Sequence, residues 1–158
     1  MKKLKNAFVN STKDFNCFGC SPNNPIGLKM DFYVDGDKFW AKWNPDKNYD
    51  GWINVVHGGI QACLVDETAE WYIFTKYGRS AVTSELQIKY KKPLSSASGI
   101  IRIEANEISF KRNIAEISLK ITDLNNNICT EAIGKFYVFS EEISKGRYNF
   151  PDKEEFFK

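Results

Sequence analysis

Residues 58–77 have the pattern of a long helix that is apolar on nearly every side. Large aliphatic and aromatic residues recur without the polar face of a surface helix, and such a helix is buried on most sides. His57 and two glycines open the segment and Gly78 follows it, which predicts a helix that ends at residue 77.

Alternating polar and apolar residues predict strands on both sides of this helix. Two alternating runs around Asp35-Gly36-Asp37 predict a hairpin before it. Four further runs follow it, joined by short connectors of turn-forming residues: "AVTSELQIKYKKP", "GIIRIEANEISFKR", "IAEISLKITDL" and "ICTEAIGKFYVFS". This order predicts an α+β domain in which a curved antiparallel sheet of about six strands wraps a long central helix.

The remaining sequence predicts one folded domain with two short flanking segments. The 158 residues are enough for a single core. Residues 1–24 look like an irregular N-terminal arm, residues 25–140 like the domain itself, and residues 141–158 like a charged tail or short helix.

Charge and hydropathy exclude several classes of partner. The net charge is only +2 and the lysines are spread along the chain, so there is no nucleic-acid footprint. No apolar run approaches the roughly 18 residues of a membrane span, and the apolar piece at residues 7–9 is too short for a signal peptide. We therefore expect a cytoplasmic protein that binds neither nucleic acid nor membrane, and whose mildly positive surface suits an anionic small molecule.

The four cysteines are expected to be reduced thiols. Cys17 and Cys20 in "CFGC" have the spacing of half a zinc site. The other ligands would have to come from Cys63, Cys129 or His57, which are scattered singly. A loop with two small side chains is the preferred interpretation, and we predict no metal.

Three motifs together resemble one family. The first is a helix start with an acid nine residues after the histidine, "VVHGGIQACLVDE". The second is an N-terminal C-x-x-C-x-x-x-N-P-x-G-L segment, "CFGCSPNNPIGL". The third looks like the strand that follows the helix, "VTSELQIKYKKP". They resemble the hotdog-fold acyl-CoA thioesterases, in the branch with a His-Gly-Gly motif that includes phenylacetate-pathway thioesterases. The resemblance covers roughly residues 17–140.

The resemblance implies a hotdog fold, a homodimer or homotetramer with sites at the subunit interface, and thioester hydrolysis without a metal or organic cofactor. It assigns the working carboxylate to Asp66, the oxyanion donor to the amides of Gly58 and Gly59, and a supporting hydroxyl to Thr83. Some members use an Asn or Gln shortly before the His-Gly-Gly, where this chain offers Asn54 as a candidate substrate contact.

The residues themselves support parts of this assignment. The first amides of a helix have no intrahelical partner and lie at its positive end, so those of Gly58 and Gly59 could stabilise a developing oxyanion. A tight turn into the helix is the alternative. Asp66 could act as general base or nucleophile, or it could be a buried acid satisfied by Thr83, Ser84 or a backbone amide.

Several neighbours of these residues are further candidates. His57 precedes the helix, where its ring could orient the turn or contact substrate. Glu70 lies on the same helix face as Asp66, whereas Glu67 lies about 100° away. Glu67 is the substitute for Asp66 and a candidate substrate contact, although a solvated or interface acid fits equally well. Ser84 is a candidate contact beside the supporting hydroxyl.

The sequence thus predicts an acyl-CoA thioesterase that releases a free acid and CoA. The alternative is a non-catalytic hotdog module that binds acyl-CoA as a ligand or sensor. A sensor would more often lack the acid, so the presence of Asp66 with Thr83 favours the enzyme.

Overall fold

The computed structural model describes residues 1–97 and 99–158. Three helices, nine strands and two short 3₁₀ turns make up this part of the chain. In chain order they are β1 (Lys2–Lys3), α1 (Phe8–Ser11), β2 (Asp31–Asp35), β3 (Lys38–Trp43), a 3₁₀ turn (Lys47–Tyr49), β4 (Asp50–Trp52), β5 (Val55–Val56), α2 (Gly58–Tyr77), β6 (Ala81–Tyr90), β7 (Ile101–Lys111), β8 (Ile114–Thr122), β9 (Ile128–Val138), α3 (Glu141–Tyr148) and a 3₁₀ turn (Lys153–Phe157).

Seven strands form one antiparallel sheet in the order β1-β2-β3-β7-β8-β9-β6. The six predicted strands are all present. The seventh strand, β1, comes from the arm that was predicted to be irregular, and its Lys2 and Lys3 pair with Val34 and Tyr33. Strands β4 and β5 form a separate small hairpin. Strand β6 lies at one edge of the large sheet, so its outer side is open to a further strand.

Helix α2 confirms the predicted central helix, including both of its ends. It begins after His57 and ends at Gly78, whose φ of 65° is the left-handed conformation that glycine adopts without strain. The helix packs against β3, β6, β7, β8 and β9, and Leu64 and Ile73 are fully buried in this contact. One long helix enclosed by a curved antiparallel sheet is the predicted α+β arrangement.

The arm and the tail pack on each other around Phe8. Its ring stacks on Phe15 at 5.2 Å between centroids and meets Phe74, Phe150 and Phe156 edge to face at 5.4–5.5 Å. Both flanking segments therefore share the core of the domain, and the predicted boundaries at residues 24 and 140 stay a prediction. Within residues 1–97 and 99–158, no helix has the length and apolarity needed to cross a membrane.

Candidate active site

Asp66 and Thr83 are brought together between α2 and the edge strand β6. The hydroxyl Oγ1 of Thr83 donates a hydrogen bond of 2.6 Å to Oδ1 of Asp66. Asp66 is half-buried, and burial raises the pKa of its carboxyl while the bond from Thr83 lowers it. The result is an oriented carboxylate that is more basic than an ordinary aspartate.

A bulge in β6 sets the direction of the Thr83 side chain. Thr83 lies opposite Phe136 and Glu85 opposite Lys135, so Ser84 is an extra residue in the strand. The Ser84 hydroxyl donates 2.9 Å to the carbonyl of Lys135. Ser84 therefore does not satisfy Asp66, as one sequence-based alternative held, because its hydroxyl is used by the neighbouring strand.

At the start of α2, one of the two amides expected to be free is already hydrogen-bonded. The ring of His57 folds back over the helix start, and its Nδ1 accepts a 2.9 Å hydrogen bond from the amide of Gly59. An accepting Nδ1 carries no proton. The amide of Gly59, predicted as an oxyanion donor, is thus already occupied in this conformation. In the described part of the chain, the amides of Gly58 and Ile60 have no such partner.

One hydrogen bond holds this helix start against β6, and a nearby glycine leaves room for the His57 ring. The hydroxyl of Tyr90 on β6 donates 2.8 Å to the carbonyl of Gly58. A Cβ at Gly51 would lie 3.1 Å from Cδ2 of His57, so the absence of a side chain there leaves room for the histidine ring. Gly51 therefore supplies no Asn or Gln side chain of the kind that the resemblance places shortly before the His-Gly-Gly.

Asn54 lies at the exposed turn between β4 and β5. Its φ is 56°, a left-handed conformation that asparagine tolerates. Its amide donates 3.2 Å to Oδ2 of Asp50, and its carbonyl accepts 3.0 Å from the amide of Ser96. These bonds give Asn54 a role in the turn, and its part in substrate binding stays a prediction.

Glu67 faces a different part of the molecule from Asp66. Its side chain lies against the N-terminal arm, where its two carboxylate oxygens are 3.4 and 3.3 Å from Sγ of Cys17. The indole Nε1 of Trp71 donates 3.1 Å to its Oε1. Glu67 is only 9% exposed, so the interpretation as a solvated acid is wrong, and burial raises its pKa to about 8.

Glu70 lies on α2 one turn beyond Asp66. Burial, followed by repulsion from Glu67 and Asp66, raises the pKa of Glu70 well above its ordinary value. Its side chain is half-buried. Gly59, Cys63, Asp66 and Glu70 thus form a partly open stripe along α2 at helical spacing.

The fold is the hotdog fold, as the resemblance implied. The structure of thioesterase HI1161 from Haemophilus influenzae matches with a TM-score of 0.64 at 21% identity, over 72% of this chain and 80% of that one. The BH2602 protein from Bacillus halodurans, solved with CoA, matches with a TM-score of 0.62 at 26% identity, over 70% of this chain and 74% of that one.

Sequence comparison finds similarity to thioesterases and an esterase over part of the chain. Residues 53–130 match the family model described as the thioesterase superfamily. A protein of Saccharolobus solfataricus described as a candidate esterase, SSO1253, is 28% identical over 92 residues. That match spans 58% of this chain and 60% of the relative's length. The narrower assignment to the phenylacetate-pathway branch stays a prediction.

Proposed function

We propose that the protein hydrolyses acyl-CoA thioesters to a free acid and CoA, with Asp66 as general base or nucleophile. The hydrogen bond from Thr83 to Asp66 carries this proposal, because it orients a half-buried carboxylate beside an open sheet edge. Such a group can take a proton from water or attack the thioester carbonyl. The match of residues 53–130 to the thioesterase superfamily model supports the reaction, and the likeness to the BH2602 protein, solved with CoA, supports the substrate class.

The oxyanion donor in this proposal is the amide of Gly58. It is free at the positive end of α2, whereas the amide of Gly59 is bound to His57. A free amide at a helix start can stabilise the negative charge that develops on the carbonyl oxygen. His57 then acts as a positioning residue, since its ring caps the turn that presents this amide.

The active unit in this proposal is a homodimer. Gly58 and Asp66 are eight residues apart on one helix, which places them about 12 Å apart along its axis. One carbonyl group cannot contact both, so a shared site needs Gly58 from one copy and Asp66 from the other. Asp66 on the partly open stripe of α2 contacts β6, so this stripe and the open edge of β6 together offer a surface for this pairing.

The first experiment measures free thiol release from short, long and aromatic acyl-CoA esters. Asp66→Asn keeps the size of the side chain, and we expect it to lower kcat roughly 100-fold or more while ester binding by calorimetry survives. Equal turnover in the variant would remove Asp66 as the catalytic group. Binding without turnover in the wild type would instead favour the non-catalytic acyl-CoA module.

A second experiment tests the shared site through Gly58→Pro. Proline at the first helical position is tolerated but lacks the N–H, and the ψ of 137° at His57 suits a residue before proline. Gly58→Ala is the matched control, because it adds the same Cβ, 3.3 Å from the Tyr90 ring, and keeps the N–H.

Mixing inactive Gly58→Pro and Asp66→Asn chains should restore activity. Random pairing makes half of the dimers mixed, each with one complete site of two, so we expect about a quarter of the wild-type rate. No recovery, in a mixture shown by native mass spectrometry to contain mixed dimers, would contradict the shared site.

A further inference from the structure

A second cluster of reactive side chains lies outside the candidate active site. It consists of Cys17 and Cys20 in the N-terminal arm and Glu67 on α2. One ligand atom of each residue, two sulfurs and a carboxylate oxygen, lies within 4.8 Å of the other two. The sequence suggested only half a metal site here, and the fold supplies a third ligand from 50 residues away.

The spacing of the cluster suits a tetrahedral ion. Zinc binds sulfur at about 2.3 Å and carboxylate oxygen at about 2.0 Å, which makes the sulfur–oxygen edge of the tetrahedron about 3.5 Å. The observed distances from Sγ of Cys17 to the two oxygens of Glu67 are 3.4 and 3.3 Å. The Cys17–Glu67 edge therefore has the length that a shared zinc ion requires, and Sγ of Cys20 lies within 4.8 Å of both partners.

The charge balance of the cluster also favours a cation. All three groups are acids, and in residues 1–97 and 99–158 Glu67 forms no ion pair with a lysine or arginine. Burying a carboxylate without a positive partner is costly, so such a group either keeps its proton or binds a cation.

Neighbouring groups already orient the ligand atoms. The indole Nε1 of Trp71 donates 3.1 Å to Oε1 of Glu67, and the amide of Gly19 donates 3.3 Å to Sγ of Cys17. Such outer contacts fix the ligands of metal sites. A Cβ at Gly19 would lie 2.5 Å from Cδ of Glu67, so the loop approaches the carboxyl as closely as only glycine allows.

We propose that Cys17, Cys20 and Glu67 bind one zinc ion that fastens the N-terminal arm to α2. Two thiolates select zinc over magnesium or calcium, and the carboxylate disfavours copper(I). A cavity of about 1070 Å³ between the arm and the tail is lined by Cys20 and Trp71, so it reaches the edge of this cluster. This site is independent of the proposed hydrolysis.

The test uses full-length protein without a metal-binding tag, stripped with a chelator under reducing conditions. Zinc is titrated in competition with a chromophoric chelator, and cobalt(II) is used to detect thiolate-to-metal charge-transfer absorption. We expect one zinc per chain. Cys17→Ser, Cys20→Ser and Glu67→Gln should each weaken zinc binding at least ten-fold, and the matched controls Cys63→Ser and Cys129→Ser should not.

Two results would overturn the proposal. One is zinc binding by the wild type that is no tighter than that of the Cys17→Ser/Cys20→Ser double variant. The other is zinc affinity unchanged by Glu67→Gln, which would leave the carboxylate outside the site. A disulfide between Cys17 and Cys20 that resists the reductant would count with the first result, since it removes both thiolates.

A measurement on the wild type covers the case in which the variants do not fold. Zinc should slow alkylation of Cys17 at least ten-fold, followed by peptide mass spectrometry, while Cys63 in the same molecule serves as the internal control. Both thiols are half-buried. An equal alkylation rate of Cys17 with and without zinc would also overturn the proposal.

Discussion

Gly19→Ala should break the contact between the N-terminal arm and α2. The added Cβ would lie 2.5 Å from both Cδ and Oε2 of Glu67. Carbon atoms do not approach so closely, so the carboxyl group has to leave its position. Gly19 does not have a positive φ, and the cost therefore comes from this collision and not from backbone strain.

The magnitude follows from the groups that lose their partner. Trp71 is 1% exposed, so no water can replace the 3.1 Å bond from its indole N–H to Glu67. A buried donor without a partner costs about 1–3 kcal/mol, and the displaced carboxyl also loses its contact with Cys17. We expect a loss of about 2–3 kcal/mol in the free energy of unfolding, which lowers Tm by roughly 4–12 °C for a domain of this size.

The assay is urea denaturation with chelator and reductant present, so that no metal contributes. In a Glu67→Ala background, Gly19→Ala should cost less than about 0.5 kcal/mol because the colliding atoms are gone. Gly146→Ala in α3 is the matched control, since its Cβ would meet nothing within 4 Å, and it should be neutral or stabilising. An equal cost of Gly19→Ala in both backgrounds would refute the reasoning.

Three further predictions follow from the site and the core. Thr83→Val removes the bond that lowers the pKa of Asp66, so the acidic limb of the kcat/KM profile should move to higher pH; an unmoved limb would show that Asp66 does not control it. The folded pKa of Glu67, about 8, is above its unfolded value of about 4.5, so folded protein holds a proton that unfolded protein releases and stability falls as pH rises through this interval. Glu67→Gln should reduce the slope of the free energy of unfolding against pH by up to about 1.4 kcal/mol per pH unit. The measurement is urea denaturation below pH 6, where Cys17 is still largely protonated, and equal slopes for the variant and the wild type would contradict the prediction. Phe156→Ala empties a fully buried position against Phe8 and should cost about 3–5 kcal/mol; a loss below about 1 kcal/mol in the same assay would mean that the tail is not part of the core.

The helix and the long strands could be predicted because their signals are local. Helix α2 follows from a continuous apolar segment with glycine at both ends, and Gly78 takes the left-handed conformation that ends it. The β2–β3 hairpin follows from Gly36, whose φ of 58° suits a tight turn. Each of these elements is decided by residues within a few positions of one another.

The contact between Cys17 and Glu67 could not be predicted in this way. The two residues are 50 positions apart, and only the folded arm brings them together. The sequence does contain one signal, because Gly19 in "CFGC" leaves space that Glu67 fills. That signal has no meaning until the partner is known, so the sequence by itself points only to cysteine and histidine as further zinc ligands and not to the acid.

Part of the geometry at the candidate active site could be predicted from the sequence, but not its details. Asp66 and Thr83 were assigned through the motifs, and the structure places them in contact. Whether the amide of Gly59 is free or hydrogen-bonded depends on the orientation of the His57 ring. A side-chain orientation is set by local packing, here by the space beside Gly51, and spacing along the sequence carries no information about it.

The acidic residues within the apolar helix α2 each have a partner on a different element of the fold. Successive residues on a helix point about 100° apart, so Asp66 and Glu67 face different elements although they are neighbours in sequence. Asp66 meets Thr83 on the edge strand, and Glu67 meets Cys17 and Trp71 under the arm. A single buried helix can therefore hold two separate acidic sites, and substitutions at adjacent positions should have effects that differ in kind: on turnover at Asp66, and on stability and zinc binding at Glu67.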